Sequence, residues 1–355
     1  TTLTKQILKD YPDKKTTYLN CEDFFVKTQL TDRSASEIHE FFDGSEVVIL
    51  DEAQTLINIG RIVKVYHDKY PETQIILTGS SSFDLANEIN EPLTGRSIEF
   101  KLYPFSISEI IQNQGIIKTK EALEKVINYG TYPEVFLNRN KTETITLLNN
   151  IRANYLFKDI LNFEGLKDSG LVYKILRALA YQIGNEVNYT NLAKLVGSNK
   201  NTVEKYVDLL EKSFIVYKLN SYSTNPRKEI SKGKKVYFCD LGIRNSLIGN
   251  FNSINLRNDT GALWENFCVI ERVKKLEETG FYGQKYFWRN YEKQEIDYLE
   301  IQDGKISAYE FKWNKNKKAK LPKAFDKNYN PEKYEIINPN TFWNWVSKAS
   351  FQSDT

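Results

Sequence analysis

The sequence predicts an α/β protein that opens with a parallel sheet and continues into two further domains. Its 355 residues exceed what a single hydrophobic core usually supports. Near the start, the short apolar runs TTYLN, EVVIL and QIILT alternate with helical segments, a pattern typical of parallel strands joined by crossover helices. Much later, Asp303-Gly304 separates two alternating segments, which indicates a β-hairpin in another domain.

Composition excludes several classes of protein. Hydrophobic residues make up 41% and charged residues 27%, and no apolar run is long enough for a bilayer span or a signal peptide. We therefore expect a soluble, cytoplasmic protein. The cysteines Cys21, Cys239 and Cys268 are far apart and His39 and His67 are isolated from them, which argues against zinc or disulfides. A net charge of +3 does not by itself predict nucleic-acid binding.

Methionine is absent, even at position 1. Average usage of about 2% would supply several in a chain of this length. We expect that residues precede Thr1 and that some methionines have been lost, so that certain spacings are short by a residue.

The chain contains no GxxxxGK[ST] loop, the usual cradle for nucleotide phosphates. Its first residues, TTLTKQIL, nevertheless match the segment that comes directly after the Gly-Lys of such a loop, where the loop enters a helix. If residues precede Thr1, its hydroxyl is the expected magnesium ligand, with Thr2 beside it at the nucleotide.

Polar side chains also end the next predicted strands. Asp51 and Glu52 close the strand EVVIL, and Thr78 and Ser80 close QIILT. Ligands bind at this edge of a parallel sheet. We predict that Asp51 holds Mg²⁺ through its shell, Glu52 polarises the attacking water, and Thr78 or Ser80 senses the γ-phosphate of ATP. The alternative is that an acidic pair at this point caps the next helix.

Four motifs together resemble a known family. VVILDEAQ, IILTGSSSFDL, LTGRSIEFKLYPFSISE and GTYPEVF look like the AAA-type P-loop ATPases of bacteria and archaea that carry a restriction-endonuclease-like region behind the ATPase core. The resemblance implies ATP and Mg²⁺ as cofactors and Arg96 as an arginine finger or sensor. The alternative for Arg96 is an ordinary ion pair.

The middle of the chain predicts a winged helix. Amphipathic segments LVYKILRALAYQIG, TNLAKLVG and SNKNTVEKYVDLLEKS form three helices, the last two joined at Gly197. Two β-rich segments come next, with a polar loop between them as the candidate wing. A DNA-binding interpretation places base or phosphate contacts on the residues Asn199, Lys200, Asn201, Lys205, Arg227, Lys228 and Lys232.

An alternative is that this module packs on itself or on a partner and that its polar face is solvated without binding a ligand. Glu204, Asp208 and Glu211 lie on the same helix and dilute its basic charge.

The hairpin around Asp303-Gly304 brings acidic residues together. Its register places Asp297 opposite Glu310 and Glu295 opposite Lys312, all on one face. Carboxylates that face each other about 5 Å apart repel, so a cation is expected between them. Lys312 supplies one charge, and a divalent cation would supply the rest.

An upstream carboxylate completes the set. On the segment TGALWENFCVIERV, helical spacing turns Glu265 towards a core. Glu265, Asp297, Glu310 and Lys312 together resemble the PD-(D/E)xK nucleases, which implies that Asp297 and Glu310 hold Mg²⁺ and that Lys312 orients the attacking water. The alternative is an ion-paired face in a fold that no longer cuts.

These observations predict four regions: a P-loop ATPase core at 1–110, a helical lid or linker at 111–163, a winged helix at 164–245, and a restriction-endonuclease-like domain at 246–355. The predicted function is ATP hydrolysis on DNA, with a magnesium-dependent nuclease site in the last domain. The alternative is an ATP-driven switch for a protein partner, with an inactive nuclease-like scaffold. Oligomerisation stays open, and no membrane is expected.

Overall fold

The computed structural model describes residues 2–79, 93, 95–154, 168–223 and 233–347. The chain forms two compact units, Thr1–Lys101 and Leu102–Thr355. The first unit ends at Lys101, and the domain boundary at 110 stays a prediction.

The first unit contains a three-stranded parallel sheet. Its strands, in spatial order, are β1 (Thr16–Asn20), β2 (Val47–Asp51) and β3 (Gln74–Leu77). Asn20 pairs with Asp51 and Leu50 pairs with Leu77, so the strands end at one edge. The predicted parallel α/β start is confirmed.

Helices accompany these strands. They are α1 (Thr2–Ile7), α2 (Phe24–Leu30), α3 (Ala35–Phe41) and α4 (Ile59–Lys69).

Local capping explains where α2 and α3 begin. The Asp23 side chain accepts hydrogen bonds from the first turn of α2, and Ser34 with Glu37 forms a capping box at α3. Between β2 and β3, helical spacing predicts one helix over 55–70. The structure has a short 3₁₀ turn, Ala53–Thr55, and α4 begins only after Asn58, whose left-handed backbone separates the two.

The second unit contains a seven-stranded mixed sheet. In spatial order its strands are β10 (Lys333–Ile337), β9 (Lys305–Phe311), β8 (Glu295–Gln302), β7 (Gln284–Arg289), β5 (Val216–Ser221), β6 (Lys234–Phe238) and β4 (Glu186–Val187). The pairs β9–β10 and β5–β7 are parallel and the others antiparallel.

This sheet crosses a predicted domain boundary. Strands β4 to β6 belong to the region predicted as a winged helix, and β7 to β10 belong to the region predicted as nuclease-like. One sheet therefore serves both regions, and position 245 does not separate two sheets.

Helices of the second unit are α5 (Ile107–Gln114), α6 (Ile116–Glu121), α7 (Leu123–Tyr129), α8 (Pro133–Leu137), α9 (Lys141–Asn154), α10 (Ser169–Tyr181), α11 (Tyr189–Val196), α12 (Lys200–Lys212), α13 (Leu241–Ile248), α14 (Thr260–Glu278), α15 (Lys323–Tyr329) and α16 (Phe342–Ser347). The helix α14 runs through the main core of the unit. No helix in the described part of the chain is both long and apolar enough to cross a membrane.

The predicted hairpin is present as β8 and β9. Gln302 pairs with Lys305 across a two-residue turn in which Asp303 and Gly304 both have positive φ. The regular ladder ends at Tyr298 and Tyr309, one step before the predicted Asp297–Glu310 pair.

The predicted pairing of Glu295 with Lys312 is not part of this ladder. Glu295 pairs instead with Arg289 of β7, because β8 is longer than its pairing with β9 and continues against the strand on its other side.

Candidate functional site

Asp51 lies at the end of the central strand of the first unit and is only 2% exposed. The hydroxyl of Tyr18, on β1, donates to one oxygen of its carboxylate, and the hydroxyl of Thr78, just after β3, donates to the other. Its backbone carbonyl accepts from the Cys21 amide at 2.8 Å. Neighbouring segments on both sides thus hold the Asp51 carboxylate in one orientation.

Glu52 comes next, in a left-handed backbone conformation with φ 55° and ψ 39°. A side chain other than glycine adopts this conformation at a cost, and such residues are common at functional sites. Its carboxylate accepts a hydrogen bond of 2.6 Å from the Gln54 side-chain amide and makes no capping bond to the adjoining 3₁₀ turn. For Glu52, the helix-cap interpretation therefore has no support.

The structure places the other predicted residues of the first unit in different settings. Thr2 begins α1 and is exposed, whereas Thr1 and Ser80 lie outside the described residues. The Arg96 guanidinium pairs with Asp68 of α4, with both side chains nearly half exposed. This ion pair corresponds to the alternative for Arg96, and its role as a finger or sensor stays a prediction.

Cys21 lies next to this site but is not a reactive thiol. Burial, together with the charge of Asp51, raises the pKa of Cys21 to about 12. Because only the thiolate is a nucleophile, Cys21 acts as a core residue.

In the second unit, a buried lysine joins carboxylates from separate elements. Lys235, on β6, is 1% exposed. Its ammonium lies 2.7 Å from Glu265 Oε1, pairs with Glu295, and lies 4.0 Å from Asp297 Oδ1. We call these four residues the Lys235 cluster.

A second lysine lies on the other side of Asp297. The Lys312 ammonium pairs with Glu310 and lies 3.7 Å from Asp297 Oδ2. The same Asp297 oxygen accepts a hydrogen bond of 2.8 Å from the Phe311 amide. The structure thus brings the four predicted nuclease residues together and adds Lys235 and Glu295 to them.

Burial and mutual charge shift the ionisation of this group. Burial, with a contribution from Asp297, raises the pKa of Glu265 to about 7, against the opposing effect of Lys235. Burial and the Asp297 charge also raise the pKa of Glu310. Burial alone would lower the pKa of Lys235, but the adjacent carboxylates outweigh it and raise that pKa. Both lysines therefore stay cationic among these acids.

In this arrangement the carboxylates lie against lysine ammonium groups. Within the described ranges, no group of three or more His, Cys, Asp or Glu side chains is placed to hold a metal ion. The expected cation between Asp297 and its acidic neighbours is present, but it is an ammonium group. Metal ligation by Asp297 and Glu310 stays a prediction.

Lys235 is the residue that sequence reasoning missed. Its strand was recognised from the run KKVYFCD, in which alternation places Lys235 on the same face as Tyr237. Tyr237 donates to the same Glu265 oxygen at 2.7 Å. The sequence signal for a buried lysine was therefore the position of Lys235, two residues before the core residue Tyr237 on the same face of the strand.

The predicted nucleic-acid residues lie around a helix–turn–helix. Gly197 ends α11 with φ 73°, and the Asn199 side chain caps α12 by accepting from the Thr202 amide at 2.9 Å. Lys200, Asn201 and Lys205 are exposed. The candidate wing residues Arg227, Lys228 and Lys232 lie outside the described part of the chain.

Family models match three parts of the chain. Residues 1–111 match an AAA domain. Residues 120–254 match a domain of unknown function (DUF8612), and residues 260–342 match another (DUF4143).

Similar proteins occur in bacteria and archaea. An uncharacterized protein of Haemophilus influenzae is 27% identical over 236 residues, which cover 64% of this chain and 57% of the relative. Two uncharacterized proteins of Methanocaldococcus jannaschii are 22% and 24% identical, covering 90% and 57% of this chain and 74% and 48% of their own lengths. This chain thus spans little more than half the length of the first relative. The chain is thus similar to an AAA domain over residues 1–111 and to a DUF4143 domain over residues 260–342.

Proposed function

We propose that the N-terminal domain binds ATP with Mg²⁺ and hydrolyses it. One observation carries this proposal: the Asp51 carboxylate is held at the edge of a parallel sheet between Tyr18 and Thr78, with Glu52 directly after it. Ligands of open α/β sheets bind at this edge, and the segment lies within the AAA match.

The donor set at this edge fits magnesium. Carboxylate and hydroxyl oxygens are hard ligands, and Mg²⁺ in nucleotide sites takes one or two carboxylates together with phosphate oxygens rather than a full protein cage. Thr1 and Asp51 would hold the ion, and Thr2, Thr78 and Ser80 would face the nucleotide. When bound, the ion neutralises the charge on the phosphates.

Glu52 is the residue to which we assign the water. Its half-buried carboxylate can accept a hydrogen bond from a water molecule and orient it for attack, while Gln54 holds the other side of the glutamate in place. Thr78 donates to Asp51 and so keeps that carboxylate turned to the sheet edge.

The ATPase proposal is tested with the Glu52→Gln variant of the full-length protein. Replacing the carboxylate with an amide removes the acceptor for the water proton, so we expect ATP turnover to fall about a hundred-fold or more while ATP binding persists. Steady-state phosphate release, with and without Mg²⁺, measures turnover, and nucleotide binding is measured separately. The matched control is Glu72→Gln, an exposed glutamate of the same unit. Equal turnover in both variants would contradict the assignment.

We further propose that this ATPase works as a switch on nucleic acid and that its C-terminal carboxylates form a scaffold rather than a nuclease. The support for the scaffold is that Lys235 and Lys312 form ion pairs with Glu265, Glu295 and Glu310. The nuclease interpretation would need a divalent cation beside Asp297 and Glu310, in addition to Lys312.

A further inference from the structure

We infer that the exposed N-terminal half of α12 is a docking surface for the phosphates of duplex nucleic acid, and that Lys218, which pairs with acidic residues in the C-terminal half of the same helix, raises its positive balance of charge. This inference rests on the proposal that the ATPase works on nucleic acid and names the surface that would meet it. It is carried by the contacts of Lys218 with the acidic residues of the same helix.

The acidic residues of α12 were the argument against binding of nucleic acid by this helix, because they dilute its basic charge. The ammonium of Lys218, on β5, pairs with Asp208 and lies 2.7 Å from Glu211 Oε2. The Lys218 backbone amide also donates to Glu211 at 3.0 Å. The Lys218 side chain is only 13% exposed, so its charge is directed to these carboxylates rather than presented to solvent.

The basic residues nearby are placed differently. Lys194, Lys200 and Lys205 are exposed, and none of them forms an ion pair with any residue that the structure describes. Glu204, half-buried, is the acidic residue of α12 that has no ion-pair partner among the described residues. Lys218 offsets part of the charge of Asp208 and Glu211, and the exposed lysines Lys194, Lys200 and Lys205 outnumber Glu204 around the start of α12.

Charge complementarity selects a polyanion as the occupant. The positive residues flank a helix that begins at a glycine turn, and Asn201 adds an exposed amide between Lys200 and Lys205. Helices presented in this way enter the major groove of a duplex, while lysines on their flanks contact phosphates. An acidic protein could pair with the lysine charges but would not match the spacing of the phosphates in a duplex. Binding of an acidic protein is therefore one of the outcomes that the test distinguishes.

The test measures binding of full-length protein to a fluorescent DNA duplex of about two helical turns, without ATP, over a range of salt concentrations. We expect the double variant Lys200→Ala/Lys205→Ala to bind at least tenfold more weakly. We also expect its slope of log affinity against log salt to be smaller by about one for each phosphate that is no longer neutralised. The matched control is Lys315→Ala/Lys318→Ala, which removes two exposed lysines elsewhere in the second unit.

A second variant tests the role of Lys218. Lys218→Met should weaken DNA binding although the side chain is too buried to touch a duplex, because an ammonium group would no longer offset part of the negative charge of Asp208 and Glu211. Adding Asp208→Asn and Glu211→Gln to Lys218→Met should restore binding. Restoration distinguishes an electrostatic effect from misfolding, which the added substitutions would not repair.

Three results would overturn the inference: no duplex binding at low salt, equal weakening in the two double-lysine variants, or failure of the triple variant to recover. Competition by polyglutamate as strongly as by unlabelled duplex would assign the surface to an acidic protein. Because binding is measured without ATP, normal turnover in Glu52→Gln would overturn the ATPase proposal and leave this surface standing.

Discussion

At the residue scale, buried charge organises the second unit. Lys235 lies among the carboxylates of Glu265, Glu295 and Asp297. The sequence predicts a metal ion nearby, between Asp297 and Glu310. A buried charge is expensive unless it is paired and hydrogen-bonded. The ion pairs join three elements, so they hold β6, α14 and β8 in register as well as neutralising one another.

Removing the ammonium should therefore be costly. Lys235→Met keeps the length of the side chain but leaves three carboxylates together, and breaking a buried pair from one side costs about 3 to 5 kcal/mol of folding free energy. Denaturant unfolding measures the loss. The control Lys305→Met breaks the exposed pair with Glu332, for which we expect less than about 1 kcal/mol. Similar losses in the two variants would show that Lys235 is not the counter-ion we describe.

At the element scale, close helix packing places a glycine where no other residue fits. A Cβ added to Gly242, in α13, would lie 2.0 Å from the backbone oxygen of Tyr129, the last residue of α7. Backbone atoms cannot move aside as the end of a flexible side chain can. The approach of α13 to α7 therefore depends on this glycine.

Gly242→Ala should separate these helices and lower the stability of the second unit by about 1 to 3 kcal/mol, the usual cost of overpacking. Gly261→Ala is the matched control, because Gly261 is also helical and an added Cβ there meets nothing within 4 Å. Alanine is the better helix former, so the control should be neutral or more stable by up to about 1 kcal/mol. Thermal unfolding of the two variants compares them directly, and a stable Gly242→Ala protein would refute the packing argument.

At the scale of the whole molecule, the proposed ATPase site and the predicted nuclease residues belong to different units. The Asp51 site lies in the first unit and the Lys235 cluster in the second. A nuclease would need Mg²⁺ or Mn²⁺ in the second unit, whereas the proposed ATPase would need Mg²⁺ only in the first. Substitutions in one unit can therefore test one activity while the residues of the other site stay unchanged.

We expect DNA to stay intact when the full-length protein turns over ATP in the presence of Mg²⁺ or Mn²⁺. Its products on a sequencing gel should match those of Asp297→Ala and Glu310→Ala, because Lys235 and Lys312 occupy the space between the carboxylates. Cleavage by the unsubstituted protein that both variants lose would restore the nuclease interpretation and remove the scaffold.

The sequence by itself determined the features that depend on neighbouring residues. The parallel start, the polar edge at Asp51 and Glu52, the Asp303-Gly304 hairpin and the inward direction of Glu265 all result from periodicity and turn chemistry, which act over a few residues. The helix boundary at Asn58 was missed because a left-handed residue other than glycine has no strong local signal.

Tertiary structure alone decided which distant charges meet. Lys235 reaches Glu265 and Glu295 because the sheet places β5 beside β7 and β6 beside β5, an order that connects two regions expected to be separate domains. Lys218 likewise meets Asp208 and Glu211 because β5 folds back against α12. Side-chain pattern gives the face on which a residue lies, but the strand order that selects its partner comes from packing of the whole unit.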